Sequence, residues 1–309
     1  MRFALIVNPA SGRAGAAPDV SAFDRALSSI GVDLTVARTE ARGDAIRIAA
    51  ELAIQADVLG VIGGDGTVHE TVNGLMQGAA SPIPLVIVPY GAGNDLAHVI
   101  DCPKTPEELA AVLDSGVGAK IDVLDFGERL CVNSAGLGFE GQVNRFSQSI
   151  TSVRGHVRYM VALAKALARF SFFHFKLTTA EGVTVEGDKL LISIGNGIRT
   201  GGAFYLTPDA WPDDGLLDAC IVEPMGRVRM LRLLPKSFKG NHVASPDVTM
   251  LRTESLIIDS DTPYPMHIDG EFIESPAGRR TVTTRRHALR VLCKPGDNEL
   301  LRNPLEKIL

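Results

Sequence analysis

No stretch of this 309-residue chain approaches the ~18 consecutive apolar residues that a membrane-spanning helix needs. The Gly-x-x-x-x-Gly-Lys-Ser/Thr pattern is also missing, which excludes P-loop phosphate chemistry. Its four cysteines, Cys102, Cys131, Cys220 and Cys293, are scattered without metal-ligand spacing, so reduced thiols in a cytoplasmic protein are expected. There is no internal repeat and no low-complexity tract. Met1-Arg2-Phe3-Ala4 runs directly into a strand pattern instead of a signal peptide, which again points to the cytoplasm. What remains is 45% hydrophobic and 22% charged, the balance of a soluble globular chain long enough for one large or two ordinary domains.

The net charge of −5 hides an asymmetry. Residues 1–125 carry 8 Lys and Arg against 16 Asp and Glu, whereas residues 126–309 carry 23 against 20. The second half is therefore the one suited to an anionic surface, and nucleic acid is not among the expected partners.

The stretch that organises the reading is Val61-Ile62-Gly63-Gly64-Asp65-Gly66-Thr67-Val68-His69-Glu70. The apolar run Ala56–Ile62 has the pattern of a strand buried on both faces, and Val68, Val72 and Leu75 recur at helical spacing. Thr67 and Glu70 stand three apart, as in a capping box at the helix start. Glycines let the backbone approach a ligand, and a helix N-terminus favours an anion. Asp65 within such a turn would repel phosphate unless a cation lies between them, so it is expected to organise Mg²⁺ and not to hold the fold. The plainer alternative is a tight turn with Asp65 as a cap. Two further strand ends, Asn8-Pro9-Ala10-Ser11-Gly12 and Pro89-Tyr90-Gly91-Ala92-Gly93-Asn94-Asp95, carry loops of the same kind. Three such loops are what an open parallel sheet needs for a crevice at its carboxyl edge.

Asn8-Pro9-x-Ser11-Gly12, Gly63-Gly64-Asp65-Gly66-Thr67 and Pro89-x-Gly91-x-x-Asn94-Asp95 resemble the three signatures of the diacylglycerol kinase catalytic-domain family. That family includes bacterial soluble lipid kinases, sphingosine kinases and ceramide kinases, and it shares the second signature with NAD kinases. The resemblance implies an ATP- and Mg²⁺-dependent kinase that phosphorylates the primary hydroxyl of diacylglycerol or a similar lipid. Readings in reserve are a sphingoid-base or ceramide kinase, an NAD-kinase-like enzyme, and a non-catalytic nucleotide- or lipid-binding regulator. By the same resemblance Asn8, Pro9, Ser11, Gly12, Thr39, Gly63, Gly64, Asp65, Gly66, Thr67, Glu70, Gly91, Gly93 and Asn94 bind nucleotide, and Asp65 and Asp95 hold the catalytic Mg²⁺ through waters. Where the family has Thr in the third loop this chain has Ala92, so a hydroxyl contact is missing.

Residues 1–127 alternate strand and helix, which argues for a doubly wound parallel α/β domain. From residue 128 to 296 short strand-like runs bounded by Gly, Pro and Asp argue for a β-sandwich-like domain, with residues 297–309 returning to the first. The resemblance puts the active site in the cleft between the two. Two helices interrupt the β-rich part, at about Val157–Phe170 and Val228–Phe238. The second interleaves Arg227, Arg229, Arg232, Lys236 and Lys239 with apolar residues. It reads as a reversible contact with anionic lipid on the inner face of the membrane, or equally as a solvated helix face. Gly136-x-Gly138-x-x-Gly141 is a weak dinucleotide fingerprint, because no acid follows ~20 residues on. The family has Asp-Ala where this chain has Glu140-Gly141. In Pro208-Asp209-Ala210-Trp211-Pro212-Asp213-Asp214-Gly215-Leu216 the acids read first as turn-formers. The resemblance assigns a Mg²⁺ there, held by the Asp214 side chain and the carbonyls of Trp211 and Leu216, with a water-linked network reaching Asp122. Asp269-Gly270 is by default a hairpin turn, and in the family the following Glu271 is the general base. A homodimer is compatible with all of this.

Overall fold

The computed structural model describes residues 1–12, 18–77, 82–150, 153, 155–296 and 298–309. It divides into two compact units, Met1–Asp122 with Arg286–Leu309, and Val123–Arg285. Among the described residues no helix is long and apolar enough to cross a membrane. All four cysteines are free and buried.

In the first unit β1 (Arg2–Val7), α1 (Val20–Ser28), β2 (Asp33–Arg38), α2 (Asp44–Leu52), β3 (Val58–Gly63), α3 (Asp65–Leu75) and β4 (Leu85–Pro89) alternate. The short α4 (Asp95–Val99), α5 (Pro106–Ser115) and β5 (Val117–Asp125) follow. The strands pair in parallel in the order β2-β1-β3-β4. β3 is buried along its whole length, as strands covered on both faces must be. Leu5, Val7, Ile62 and Val86 pack with Leu27 of α1 and Leu109 and Val112 of α5 in one core. The strand order reverses between β1 and β3. Open α/β sheets bind ligands at the carboxyl ends of strands at such a switch point, so the loops after Val7 and Gly63 are placed for that purpose.

The second unit opens with β6 (Leu130–Cys131), β7 (Ser134–Gly138), α6 (Phe139–Ser149), α7 (Gly155–Arg169), β8 (Phe173–Thr179), β9 (Thr184–Lys189) and β10 (Leu191–Gly195). β11 (Leu217–Val222), α8 (Arg227–Ser237), β12 (Val248–Thr253), β13 (Ser255–Ser260), β14 (Tyr264–Ile268) and β15 (Glu271–Ser275) come next, and β16 (Gly278–Leu292) returns to the first unit. One antiparallel sheet runs β12-β11-β10-β7-β14-β15. Its inner face, with Leu137, Ile194, Ala219 and Met266, packs on Phe175 of β8, Leu256 and Ile258 of β13 and Val282 of β16. That is a sandwich core. Phe175 and Tyr264 meet edge-on across it, with ring centroids 5.0 Å apart.

The sequence reading expects no helix at Phe139–Ser149, yet α6 is one full face of a second core. Phe139 and Val143 pack there against Leu163 and Ala166 of α7. The glycine-rich Ala135–Gly141 pattern obscured it. The glycine of the Glu140-Gly141 departure has its reason here, because a Cβ on Gly141 would collide with the Pro265 carbonyl of β14. At the C-terminus, Val291 and Leu292 of β16 pair in parallel with β4, and β17 (Glu306–Lys307) pairs antiparallel with β5 at Val117 and Gly118. The return to the first unit therefore begins at Arg286, ahead of residue 297.

α2 and α3 lie so close that a Cβ on Gly74 would fall on the backbone carbonyl of Ile46, which has no side-chain freedom with which to yield. Gly74→Ala should therefore destabilise by about 1–3 kcal/mol despite its better helix propensity, read as a lower urea midpoint.

Candidate active site

Asn8 follows β1 and ties the first loop to α3. Its amide nitrogen donates to Thr67 Oγ1 at 2.9 Å, and its backbone N–H donates to the Ile62 carbonyl at 3.0 Å. Its Oδ1 accepts from the Ala10 N–H at 2.9 Å, while Ser11 Oγ donates to the Asn8 carbonyl at 2.6 Å. Thr39, buried at the end of β2, donates its N–H to Val7 at 3.0 Å. Gly63 leaves room for Thr67, whose Cβ would stand 2.6 Å from a Cβ there. The expected capping box is not formed. α3 starts earlier, at Asp65 with Gly64 as N-cap, which puts Thr67 and Glu70 inside the helix. The Glu70 carboxylate instead accepts from Gly43 N–H at 2.9 Å and Ala45 N–H at 3.3 Å, and so caps α2.

The second and third loops are closed on each other by Asp65. Its Oδ2 accepts from the Asn94 N–H at 2.7 Å and its Oδ1 from the Asp95 N–H at 2.6 Å. The backbones of Gly64 and Gly91 touch, a Cβ on Gly64 standing 3.0 Å from Gly91 Cα. Asn94 adopts the left-handed conformation (φ 52°), which Asn tolerates better than most residues. It clamps Gly91 by accepting from its N–H at 2.8 Å and donating to its carbonyl at 2.9 Å. The expectation that Asp65 serves only a cation is thus corrected: its carboxylate also holds the fold. Beside it, a point one bond above Gly93 lies 2.6 Å from Asp65 Oδ2 and 3.5 Å from Asp95 Oδ2. Two carboxylates converging on a glycine-lined cradle suit Mg²⁺, which takes one or two carboxylates and completes its shell with waters and substrate phosphates.

In the second unit Asp269 (φ 48°) and Gly270 (φ 83°) form the two-residue turn between β14 and β15, with Ile268 opposite Glu271. Both central residues at positive φ make this the primed hairpin turn expected of Asp-Gly. The Asp269 carboxylate accepts from the N–H groups of Val132 (2.9 Å), Asn133 (2.9 Å) and Ser134 (3.1 Å), and from the Cys131 thiol (3.2 Å). Burial, then the neighbouring Asp269 charge, push the Cys131 thiol well up, so it remains a donor. A carboxylate so fully engaged binds strands together and is poorly placed to take a proton. Glu271, half-buried, stands at the start of β15, two residues beyond Asp269. The Gly270 N–H donates to His267 Nδ1 at 3.2 Å, and His267 Nε2 faces Glu140 at 3.6 Å.

Asp214 and Asp122 are placed differently from a metal shell. Asp214 Oδ1 accepts from the Leu216 N–H at 3.0 Å, and its Oδ2 pairs with the Arg252 guanidinium, which also lies 3.9 Å from Asp218. Asp122, in β5, accepts from the His287 N–H at 2.6 Å. Among the described residues no group of three or more His, Cys, Asp and Glu is arranged for a metal. The expected ion's place at the Asp214 carboxylate is taken in this structure by a guanidinium. Nothing in the sequence marked Arg252, which reaches Asp214 across 38 residues.

A cavity of about 60 Å³ lies in the second core, walled by Phe139, Leu163, Phe204, Met230 and Leu234, with the buried Glu140, Ser237 and His242 also lining it.

Residues 2–126 match the family description "Diacylglycerol kinase catalytic domain", and residues 133–293 match "YegS C-terminal NAD kinase beta sandwich-like domain". Over 274 residues the chain is 31% identical to a diacylglycerol kinase of Mycobacterium tuberculosis, covering 86% of this chain and 87% of the relative. The chain belongs to the diacylglycerol kinase family. To a Pseudomonas aeruginosa protein named "Probable lipid kinase YegS-like" it is 34% identical over 298 residues, 95% of each chain. A crystal structure of a diacylglycerol kinase from Bacillus anthracis has the same fold, with a TM-score of 0.70 at 22% identity over 95% of this chain and 97% of that one. Yeast NADH kinase shares the fold more distantly, with a TM-score of 0.53 at 10% identity over 97% and 85%.

If Arg252 is the cation for Asp214, Asp214→Ala removes the nearer of the two carboxylates that face a partly exposed guanidinium. It should cost about 2–3 kcal/mol, under the range for a fully buried pair. The parent's melting temperature should not respond to EDTA; a fall in EDTA restored by Mg²⁺ would return the site to a metal.

Proposed function

We propose that this chain transfers the γ-phosphoryl group of ATP to the primary hydroxyl of diacylglycerol or a closely similar lipid at a membrane surface. The observation that carries the reading is the convergence of Asp65 and Asp95 on one glycine-lined cradle at the switch point of a parallel sheet. Phosphoryl transfer asks the protein mainly for positioned phosphates and compensated charge. The loops Asn8–Gly12, Gly63–Thr67 and Gly91–Asn94 offer glycine-lined room for phosphates, with Thr39 at the neighbouring strand end. Asp65 and Asp95 would hold Mg²⁺ through waters, and the ion when bound would neutralise charge on the phosphate oxygens. Glu271 would accept the proton of the lipid hydroxyl, while Asp269 keeps the turn that carries it. The apolar cavity of the second unit suits the end of an acyl chain.

The direct test is phosphate transfer from labelled ATP to a panel of diacylglycerols, sphingoid bases and ceramides in mixed micelles. A chain that binds ATP but labels no lipid would sink the proposal. Glu271→Gln keeps shape but cannot take the proton, so kcat should fall ~10²–10⁴-fold with KM for ATP nearly unchanged. Equal turnover would leave the turn as a hairpin only. Asp65→Asn should lose activity and, by setting an amide N–H₂ against a backbone N–H, also about 1–3 kcal/mol of stability in urea.

A further inference from the structure

The structure exposes an apolar stripe on α7 that the basic pattern of α8 gives no hint of. Ala162, Leu163 and Ala166 face inward, while Val157, Met160, Val161, Ala164 and Ala168 are exposed along one face. Val157, at 58%, and Met160, at 53%, are among the most exposed large apolar side chains of the chain. Monomeric soluble proteins rarely leave such a stripe in water without a use. α8 adds Val228, Leu231 and Phe238, also exposed. The two helices are fastened together. Arg227, at the start of α8, donates to the carbonyls of Leu167 (3.2 Å) and Ala168 (3.0 Å) at the end of α7 and lies 5.5 Å over the Phe170 ring. The end of α7 and the start of α8 are therefore neighbours, and both helices carry exposed apolar side chains.

The charge of the two helices has one sign. Neither helix contains an Asp or Glu, while α7 carries Arg158, Lys165 and Arg169 and α8 carries Arg232 and Lys236, with Lys239 just beyond. Among the described residues, Arg229 is the one of these cations paired with a carboxylate, Asp247 at 2.8 Å. A second copy of this chain is a poor partner for that surface, because a two-fold contact would set these cations against their own images. An anionic bilayer answers both features, since apolar side chains enter the acyl boundary while cations meet headgroups. At 15 residues α7 is about 22 Å long, too short to span and suited to lie in the plane. The inward sides of the same helices, through Tyr159 and Leu163 of α7 and Met230 and Leu233 of α8, wall the apolar cavity.

We propose that α7 and α8 together form a docking surface for an anionic lipid bilayer, α7 inserting its apolar stripe and α8 supplying the charge. The cavity argument rests on the lipid-kinase reading, so vesicle binding and phosphoryl transfer are measured separately. Binding of the full chain, without ATP, is followed on vesicles of phosphatidylglycerol mixed with phosphatidylcholine and on phosphatidylcholine alone. Val157→Asp with Met160→Asp should weaken binding to the anionic vesicles by about tenfold or more at both low and high salt. Arg232→Glu with Lys236→Glu should weaken it chiefly at low salt. Val157→Ser with Met160→Ser, a milder change checked by circular dichroism, should follow the Asp pair in direction. On a water-soluble short-chain acceptor the α7 variants should turn over like the parent, since neither residue lines the cavity. Unchanged vesicle binding in the α7 variants, or equal binding of the parent to both vesicle types, would overturn the docking surface. So would a shift from dimer to monomer in sedimentation with vesicle binding intact. A parent that binds anionic vesicles yet phosphorylates no lipid would leave the surface standing and remove the kinase reading.

Discussion

The first unit depends on one carboxylate. Asp65 accepts the N–H groups of Asn94 and Asp95, and this closes the GGDG loop on the loop after β4. Without that acceptor, two backbone donors beside a contact of glycine backbones would lack partners in a place too tight for side chains to supply them. An unmet buried donor costs about 1–3 kcal/mol, so the geometry of both loops hangs on the Asp65 charge. The same charge faces the cradle above Gly93. Fold and proposed chemistry therefore draw on one group.

The second unit repeats the device with a different outcome. Asp269 gathers three successive backbone N–H groups of the Val132–Ser134 segment and the Cys131 thiol, pinning the β14–β15 turn to β7. Glu271, two residues on, lies half-buried at the start of β15. The proposed division of roles between the two carboxylates of this turn rests on that engagement of Asp269. Glu70 makes the complementary point: a residue whose spacing suggested one helix start caps another, because α2 and α3 approach until their backbones nearly meet at Gly74.

A cation is still part of the Asp214 turn, but it belongs to the protein. A guanidinium offers planar donors and a fixed charge where a divalent ion would offer exchangeable coordination. Arg252 also sits on β12, the edge strand beside β11, so the ion pair joins the turn to the sheet.

Much of this was legible without coordinates. The alternation of apolar runs with glycine loops in residues 1–127 follows from burial on both faces of a parallel sheet, and the observed β2-β1-β3-β4 order is one that alternation allows. The β-rich second half was visible in its turn residues, and Asp-Gly before Glu271 marked a primed hairpin because both positions must take positive φ. These are local properties, dictated by nearest neighbours and period. What only tertiary structure decided are contacts between residues far apart in sequence. They include Asp65 on Asn94, Glu70 on Gly43, Asp269 on Val132, Arg252 on Asp214, and the outward turn of the α7 stripe. A carboxylate or an apolar stripe looks the same in sequence whether it meets a backbone amide, an arginine, a core or water. Only the packing of distant segments determines which of these it meets.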